Sequence, residues 1–253
     1  MRKKIRRIRT AGPLQEIAQY PRVPARGSAA VRNATRKISS EAQKKFNVKT
    51  SWANLMWRIA ANFRPGDLVV TLTYDDAHLP DSRKKAMANL KAFRGNMAKA
   101  RRLRGEEFVS VYSTEHLHSS SRPGESGRWH HHLIINATGH DYSEIRCAWQ
   151  YGTDIEIHAF EISDRRNYET LARYMAKERS ETERKHVWGC TRNCRRPETE
   201  VMLVDIDEAI RIPEDAAFVR TETKTTEYGK YEIASWMNMA GGLPKHEKKR
   251  RRR

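Results

Sequence analysis

The sequence predicts an α+β fold in which helices flank one side of a small antiparallel sheet, the split βαβ class. A chain of 253 residues with 38% hydrophobic content is long enough to bury one sizeable core. Segments with period-two alternation also follow segments with helical spacing in the order strand, helix, strand, strand, helix, strand, helix. The predicted elements are strand 68–74, helix 82–104, strand 108–114, strand 129–136, helix 141–149, strand 155–159 and helix 166–179.

Each of these elements follows from its own residue pattern. Residues 68–74 are apolar and β-branched, which favours a buried strand. Residues 82–104 place apolar side chains among basic ones at helical spacing, which predicts an amphipathic helix with a cationic outer face. Asp141 or Ser143 can cap the next helix, and Asp164 can cap the last one.

The two ends of the chain have weaker patterns. Residues 1–45 are rich in Arg, Pro, Gly, Ser and Ala without clear periodicity, which predicts a flexible basic arm. Packed structure is expected to begin near Ser51 with a helix. The predicted organisation is a basic arm over 1–45, one catalytic-sized domain over 46–180, and a C-terminal extension with a basic tail over 181–253.

The charge of the chain indicates its partner. The formal net charge is +18, and about two thirds of it lies in residues 1–9 and 245–253. Such tails bind polyanions through phosphate contacts, although many are only solubilising ends, so nucleic acid is the expected partner. No apolar run is long enough to span a bilayer and no secretory signal follows the first basic residues, which predicts a cytoplasmic protein without membrane contact.

The three cysteines do not suggest a disulfide framework, because their number is odd and no secretory signal is present. The spacing His186-x3-Cys190-x3-Cys194 supplies only three candidate zinc ligands, whereas structural zinc sites usually have four. The sequence therefore does not favour zinc at these residues.

The sharpest motif is the triplet His130-His131-His132, which enters the strand predicted over 129–136. Side chains alternate along a strand, so His130 and His132 project from one face and His131 from the other. Two imidazoles on one face are well placed to bind one metal ion, whereas an ordinary His pair is more often an exposed polar patch. Here the triplet runs into an apolar strand, where unsatisfied polar groups are costly, and this favours the metal site.

A metal site needs a further ligand, and Glu115 follows the preceding strand. If that strand pairs antiparallel with the His strand, Glu115 lies near His130 and His132 and completes a set of two imidazoles and one carboxylate with open positions. His116 and His118 are alternatives to Glu115, which by itself is equally well read as a surface charge.

A candidate nucleophile lies on the last predicted helix. Tyr174 and Lys177 are three residues apart and therefore neighbours on one helix face. A tyrosine needs a base, a metal or positive charge to become nucleophilic, and Lys177 and the metal can supply that charge. A Tyr and Lys at this spacing usually reflect core packing alone, so the pair gains weight only together with the metal motif.

In their order along the chain, these motifs resemble those of replication initiators of the HUH endonuclease superfamily, especially rolling-circle replication-associated proteins of phages and plasmids. The resemblance covers roughly residues 67–197. The segment 70–76 is similar to the first family motif, the His triplet to the His-hydrophobe-His metal motif, and Tyr174-Met175-Ala176-Lys177 to the Tyr-x-x-Lys motif. Residues 188–193 are similar to a Trp-Gly-x-Ser-Arg-Asn stretch of phage members.

The resemblance implies an RRM-like nuclease domain that nicks and rejoins single-stranded DNA at a replication origin. It implies Tyr174 as nucleophile, forming a covalent 5′-phosphotyrosine, and Mg²⁺ or Mn²⁺ as cofactor. Members with two nucleophiles carry tyrosines four residues apart, whereas Tyr168 and Tyr174 are six apart, which favours a single-tyrosine enzyme. No Gly-x4-Gly-Lys-Ser/Thr loop is present, so unwinding is expected from a partner, a host helicase, in the cytoplasm of the host cell.

Two other function classes compete with this one. A non-catalytic RRM-like nucleic-acid-binding protein needs exposed aromatic side chains on its sheet, for which Tyr74, Tyr112 and Trp129 are the candidates. A transposase of the same superfamily or a metal-dependent hydrolase would share the His-x-His site. Trapping of a covalent adduct separates a tyrosine nuclease from the binder and the hydrolase, and strand-transfer products reveal a transposase.

Overall fold

The structure, a computed structural model, describes residues 3–22, 41–117, 127–176 and 187–238, and it is α+β as predicted. Two five-stranded antiparallel sheets and four helices make up the described part of the chain. The elements are β1 Lys3–Ala11, β2 Leu14–Pro21, α1 Glu41–Asn62, β3 Leu68–Thr73, α2 Arg83–Leu103, β4 Ser110–Leu117, β5 Arg128–Ile135, α3 Asp141–Ala148, β6 Ile155–Ala159, α4 Arg165–Ala176, β7 Trp188–Cys190, β8 Glu198–Asp205, β9 Ala217–Thr226 and β10 Gly229–Met237.

The central sheet has the strand order β6-β3-β5-β4-β7, and all its pairings are antiparallel. The predicted sequence of strands and helices from β3 to α4 is confirmed. Because side chains alternate along strands, the sheet has two apolar faces, and each is covered by helices. Helices α1 and α4 pack on one face, and α2 and α3 pack on the other. The expectation of helices on one side only was wrong.

The terminal sheet has the strand order β8-β1-β2-β10-β9, so it joins N-terminal and C-terminal segments of the chain. The expectation of a flexible basic arm over 1–45 was wrong for residues 3–21, which form a β-hairpin between β8 and β10. Gly12, with a positive φ of 52°, makes the tight turn between β1 and β2. Ala11 and Leu14 beside this turn, together with Met237, are buried in the core that contains α1.

Acidic partners explain why so basic a segment forms a central strand. Lys3 pairs with Asp205 at 3.0 Å, and Arg7 pairs with Glu16 at 3.1 Å. The guanidinium of Arg9 lies 5.1 Å from the ring centroid of Trp57 on α1. These contacts offset the repulsion between neighbouring basic side chains, and the partners become visible only once the strands are aligned.

Helix α1 begins ten residues before the expected start near Ser51. Its early turns are polar and Phe46 is 62% exposed, so they carry no apolar periodicity for a sequence reading to detect. The later turns bury Leu55 and Ile59, as their spacing predicted. No helix in the described ranges is long and apolar enough to cross a membrane.

Helices α2 and α3 are joined by a buried ionic cluster. The Arg101 side chain is fully buried and donates hydrogen bonds to Asn136 Oδ1 at 2.6 Å and to Asp141 Oδ1 at 2.5 Å. Asp141 also accepts from the backbone N–H groups of Thr138 and Gly139. A buried guanidinium is stable only when such partners compensate its desolvation, and this cluster fixes the chain that follows β5.

Candidate functional site

The site begins with the alternation of side chains along β5. His130 and His132 project from the face covered by α1 and α4, while His131 projects from the opposite face, as predicted. The register places Glu115 of β4 directly opposite His130 and Ser113 opposite His132. Both histidines and the carboxylate therefore share one face of the sheet, which we call the histidine face.

Two threonines of β3 orient these histidines. Thr71 lies opposite His132 and Thr73 opposite His130 in the antiparallel register. The Thr71 hydroxyl lies 3.4 Å from Nδ1 of His132, and the Thr73 hydroxyl lies 3.2 Å from Nδ1 of His130. When a threonine oxygen accepts from Nδ1–H, the lone pair of the imidazole is on Nε2, the form that binds a metal.

Glu115 and Tyr174 meet at the same atom of His132. The Glu115 Oε2 atom lies 3.1 Å from Nε2 of His132, and the Tyr174 hydroxyl lies 3.3 Å from that nitrogen. Glu115 and His132 are 7% and 5% exposed, whereas Tyr174 is 43% exposed. The cluster thus combines a shielded acid-imidazole pair with a tyrosine that solvent and substrate can reach.

His131 has a structural role in the opposite core. Its Nε2 lies 2.8 Å from the Tyr74 hydroxyl and its Nδ1 lies 2.8 Å from the Thr114 hydroxyl. Burial, followed by the neighbouring His132 and His130, lowers the pKa of His131 to about 3. His131 is therefore neutral near pH 7 and fully hydrogen-bonded, which disfavours it as a ligand.

Helix α4 presents Tyr174 because its other face is anchored. Ala172 and Met175 are buried against α1, and the guanidinium of Arg173 stacks on Trp52 with 4.3 Å to the ring centroid. Tyr168, the other tyrosine of this helix, is fully buried, and burial raises its pKa. Tyr174 is therefore the only accessible one of these two tyrosines.

Some predicted ligands and helpers do not join this cluster in the described structure. Lys177, His118 and His186 lie outside the described residues. His116 projects from the face opposite to Glu115 and packs on Trp129 with 4.4 Å between ring centroids. His116 is thus poorly placed to replace Glu115 as a ligand on the histidine face.

The donor chemistry of the histidine face suits a divalent metal. Two imidazoles and a carboxylate are ligands of Mn²⁺ and later transition metals, and two of these three groups already touch. His130 bonds to Thr73 and not to Glu115 or His132. Across the described ranges, no three His, Cys, Asp or Glu side chains converge closely enough to hold a metal ion. Metal binding therefore remains a prediction from donor type and register.

Sequence reasoning missed the roles of Thr71 and Thr73. The first motif was interpreted as structural, and only the pairing of β3 with β5 shows the two hydroxyls at the two imidazoles. The alternation of threonines with apolar residues in that strand was the available signal, because polar side chains at every second position of a buried strand need partners.

The fold and site define an α+β protein with a His-Glu-Tyr cluster on a helix-covered antiparallel sheet. The family model of the ORF2-type replication-associated proteins matches residues 67–180, a range that runs from the start of β3 to just beyond α4. The match supports a replication initiator and a role in DNA replication, and it is compatible with an endonuclease. No curated protein and no solved structure matches the chain.

Proposed function

We propose that this protein starts rolling-circle replication by nicking single-stranded DNA at an origin and later rejoining it, with Tyr174 as the nucleophile. The observation that carries the proposal is the 3.3 Å contact between the Tyr174 hydroxyl and Nε2 of His132 within the segment matched by the replication-associated family. It places an exposed phenol beside the predicted metal ligands.

The reaction follows from the chemistry of these groups. The Tyr174 oxygen forms a bond to the phosphorus, the bond from phosphorus to the 3′ oxygen breaks, and that oxygen leaves as a 3′ hydroxyl after taking a proton. The phosphoryl group stays on tyrosine as a 5′-phosphotyrosine, so the 3′ hydroxyl can attack it and restore the strand. This reversibility suits nicking and closing better than hydrolysis.

The proposed ligands of Mg²⁺ or Mn²⁺ are His130, His132 and Glu115. A bound ion would supply positive charge that polarises the scissile phosphate. Thr71 and Thr73 hold the imidazoles, and Lys177 is proposed to assist the phosphate. Single-stranded DNA at the origin, a host helicase and the host replication machinery in the cytoplasm are the proposed partners and setting.

The non-catalytic alternative receives little support. An RRM-like binder exposes aromatic rings on its sheet, but Tyr74 is 1% exposed, and the Arg94 guanidinium covers Tyr112 at 3.9 Å from the ring centroid. Trp129 is partly buried against the core of the α2 side. Helices cover both faces of the central sheet, so stacking of bases on this sheet is not favoured.

The test is incubation of the protein with labelled single-stranded DNA from its own replicon and Mn²⁺, read on a denaturing gel. We expect a metal-dependent, denaturant-resistant protein-DNA band that is lost in Tyr174→Phe and His132→Ala. Tyr168→Phe and His158→Ala are matched controls, because Tyr168 is buried and His158 is an exposed histidine of β6 outside the cluster.

The other outcomes separate the rival functions. Adduct that persists in Tyr174→Phe would contradict the assignment of the nucleophile. Cleavage without an adduct would indicate a hydrolase, and transfer to a second DNA end in place of rejoining would indicate a transposase. Binding of the origin with neither cleavage nor adduct would favour the non-catalytic protein.

A further inference from the structure

A groove of about 570 Å³ runs beside the proposed nucleophile. It lies between α4 and the edge of the central sheet formed by β3, β6 and the residues after β6. Tyr174 forms part of its wall. The volume falls within the range of about 300–1,000 Å³ that is typical of small-ligand sites, so it is large enough for one nucleotide.

The lining of the groove differs from the rest of this basic chain. Its apolar part comes from Val69, Ala159, Phe160 and Leu171. Its polar part comes from Glu161, Asp164, Asn167 and Thr170, with Tyr174 at the end. The net charge of the chain is +18, but no Lys or Arg lines this groove. A carboxylate-lined groove repels phosphate, so the DNA backbone is a poor occupant.

We propose that this groove binds the base of a nucleotide next to the scissile phosphate and prefers a base with an amino group on its pairing edge. The proposal rests on the proposed function, because it takes Tyr174 as the attacking residue. Carboxylates accept hydrogen bonds from the amino groups of cytosine, adenine and guanine, whereas thymine presents two carbonyl oxygens and one N–H. The apolar wall supplies a surface for the base plane.

Glu161 is the side chain assigned to this recognition. Asn167 is already committed to the loop, since its Nδ2 donates to the Glu161 carbonyl at 3.3 Å and its Oδ1 accepts from Ser163 at 3.1 Å. The Glu161 side chain is exposed, and no cation pairs with it among the described residues. Its carboxylate is therefore available to a base that enters the groove.

The experiment measures binding and adduct formation with four origin oligonucleotides that differ in the base on each side of the mapped nick. Binding is measured with Tyr174→Phe, which cannot react, and adduct formation with the otherwise unchanged protein. We expect about tenfold weaker binding with thymine than with cytosine at one of the two positions. In the Glu161→Gln background this ratio should fall close to one, because an amide can also donate to a thymine carbonyl.

The controls keep the two proposals apart. Glu200→Gln makes the same change on an exposed residue of β8 and should leave the ratio unchanged. Thr170→Trp, at an exposed position of the groove wall, should weaken binding of all four oligonucleotides. Adduct without base dependence at either position, or a ratio that Glu161→Gln does not alter, would overturn the groove assignment alone. Absence of adduct with every substrate would overturn the proposed function, while the binding ratio, measured on either side of each candidate bond, still tests the groove.

Discussion

The Tyr174 hydroxyl lies 3.3 Å from Nε2 of His132, so a helix residue and a strand residue 42 positions apart in sequence share one polar contact. The contact depends on α4 packing over the histidine face of the central sheet. Because Glu115 reaches the same nitrogen, changes at any of these three residues are expected to affect cleavage together.

Replacing Glu115 by Gln should weaken metal binding without unfolding the protein. The change keeps the shape and removes the negative charge that is proposed to attract the ion. We expect at least a tenfold higher Mn²⁺ concentration for half-maximal adduct formation, and the same shift in direct Mn²⁺ binding followed by electron paramagnetic resonance. Glu198→Gln on β8 is the matched control. Equal Mn²⁺ affinity in Glu115→Gln and the unchanged protein would remove Glu115 from the ligand set.

The threonines of β3 should act through the histidines. Thr71→Val and Thr73→Val keep a β-branched side chain in the strand but remove the oxygen beside each Nδ1. Loss of such a hydrogen bond typically costs about 10–100-fold in metal affinity or activity. We expect that range for Mn²⁺ affinity, measured by titration calorimetry, whereas Thr221→Val on exposed β9 should have no effect. An unchanged affinity in both β3 variants would mean that the hydroxyls do not orient the ligands.

His131 and His130 should separate stability from activity. His131→Ala leaves the Tyr74 and Thr114 hydroxyls without their imidazole partner and opens a cavity, so we expect a loss of about 2–4 kcal/mol in the free energy of unfolding. His130 is only half-buried, and His130→Ala should cost less stability but abolish adduct formation. Urea unfolding and the gel assay measure the two effects. A stable, fully active His131→Ala protein would contradict the structural role.

The Arg101 and Asp141 pair should be strongly coupled. Arg101→Met leaves the Asp141 carboxylate, 3% exposed, without its cationic partner, and breaking a buried pair in this way costs about 3–5 kcal/mol. Asp141→Asn in the same background should recover part of the loss, because the buried negative charge is then gone. A double-mutant cycle in urea measures the coupling, and additive single effects would show that the pair is not energetically linked.

Cys190 should react with alkylating reagents at unusually low pH. A hydrogen bond from the Cys194 thiol, opposed by burial and aided by Arg58, lowers the pKa of Cys190 to about 6. The thiolate is the reactive form, so the rate of iodoacetamide labelling should rise with pH around a midpoint near 6. Mass spectrometry of the peptide measures it. Cys194→Ala should move the midpoint upwards, and an unchanged midpoint would exclude the thiol contact as the cause.

The parts of this fold that the sequence predicted well depend on local periodicity. His130 and His132 share a face because strands alternate, and Tyr174 lies on a helix with helical spacing, so neither inference required knowledge of distant residues. The pairing of Glu115 with His130 required only that two consecutive strands be antiparallel. The central sheet and most of the candidate site were therefore predictable.

The missed features depend on contacts between distant segments. Arg7 and Arg9 lie in a strand that is paired with residues 198–205, and no pattern within residues 1–45 reveals that partner. The contact of Thr71 with His132 required the alignment of β3 with β5. Tertiary pairing here outweighs a local composition that is typical of a flexible segment.

The terminal sheet also has a consequence for the order of events during synthesis. The hairpin of β1 and β2 leaves the ribosome early, but its two flanking strands, β8 and β10, are made nearly 200 residues later. At about 5–20 residues per second, the nascent hairpin waits on the order of ten seconds or more with both edges unpaired. Such long-range closure is slow, so shortening the chain before residue 237 should leave an N-terminal hairpin prone to aggregation on the translating ribosome.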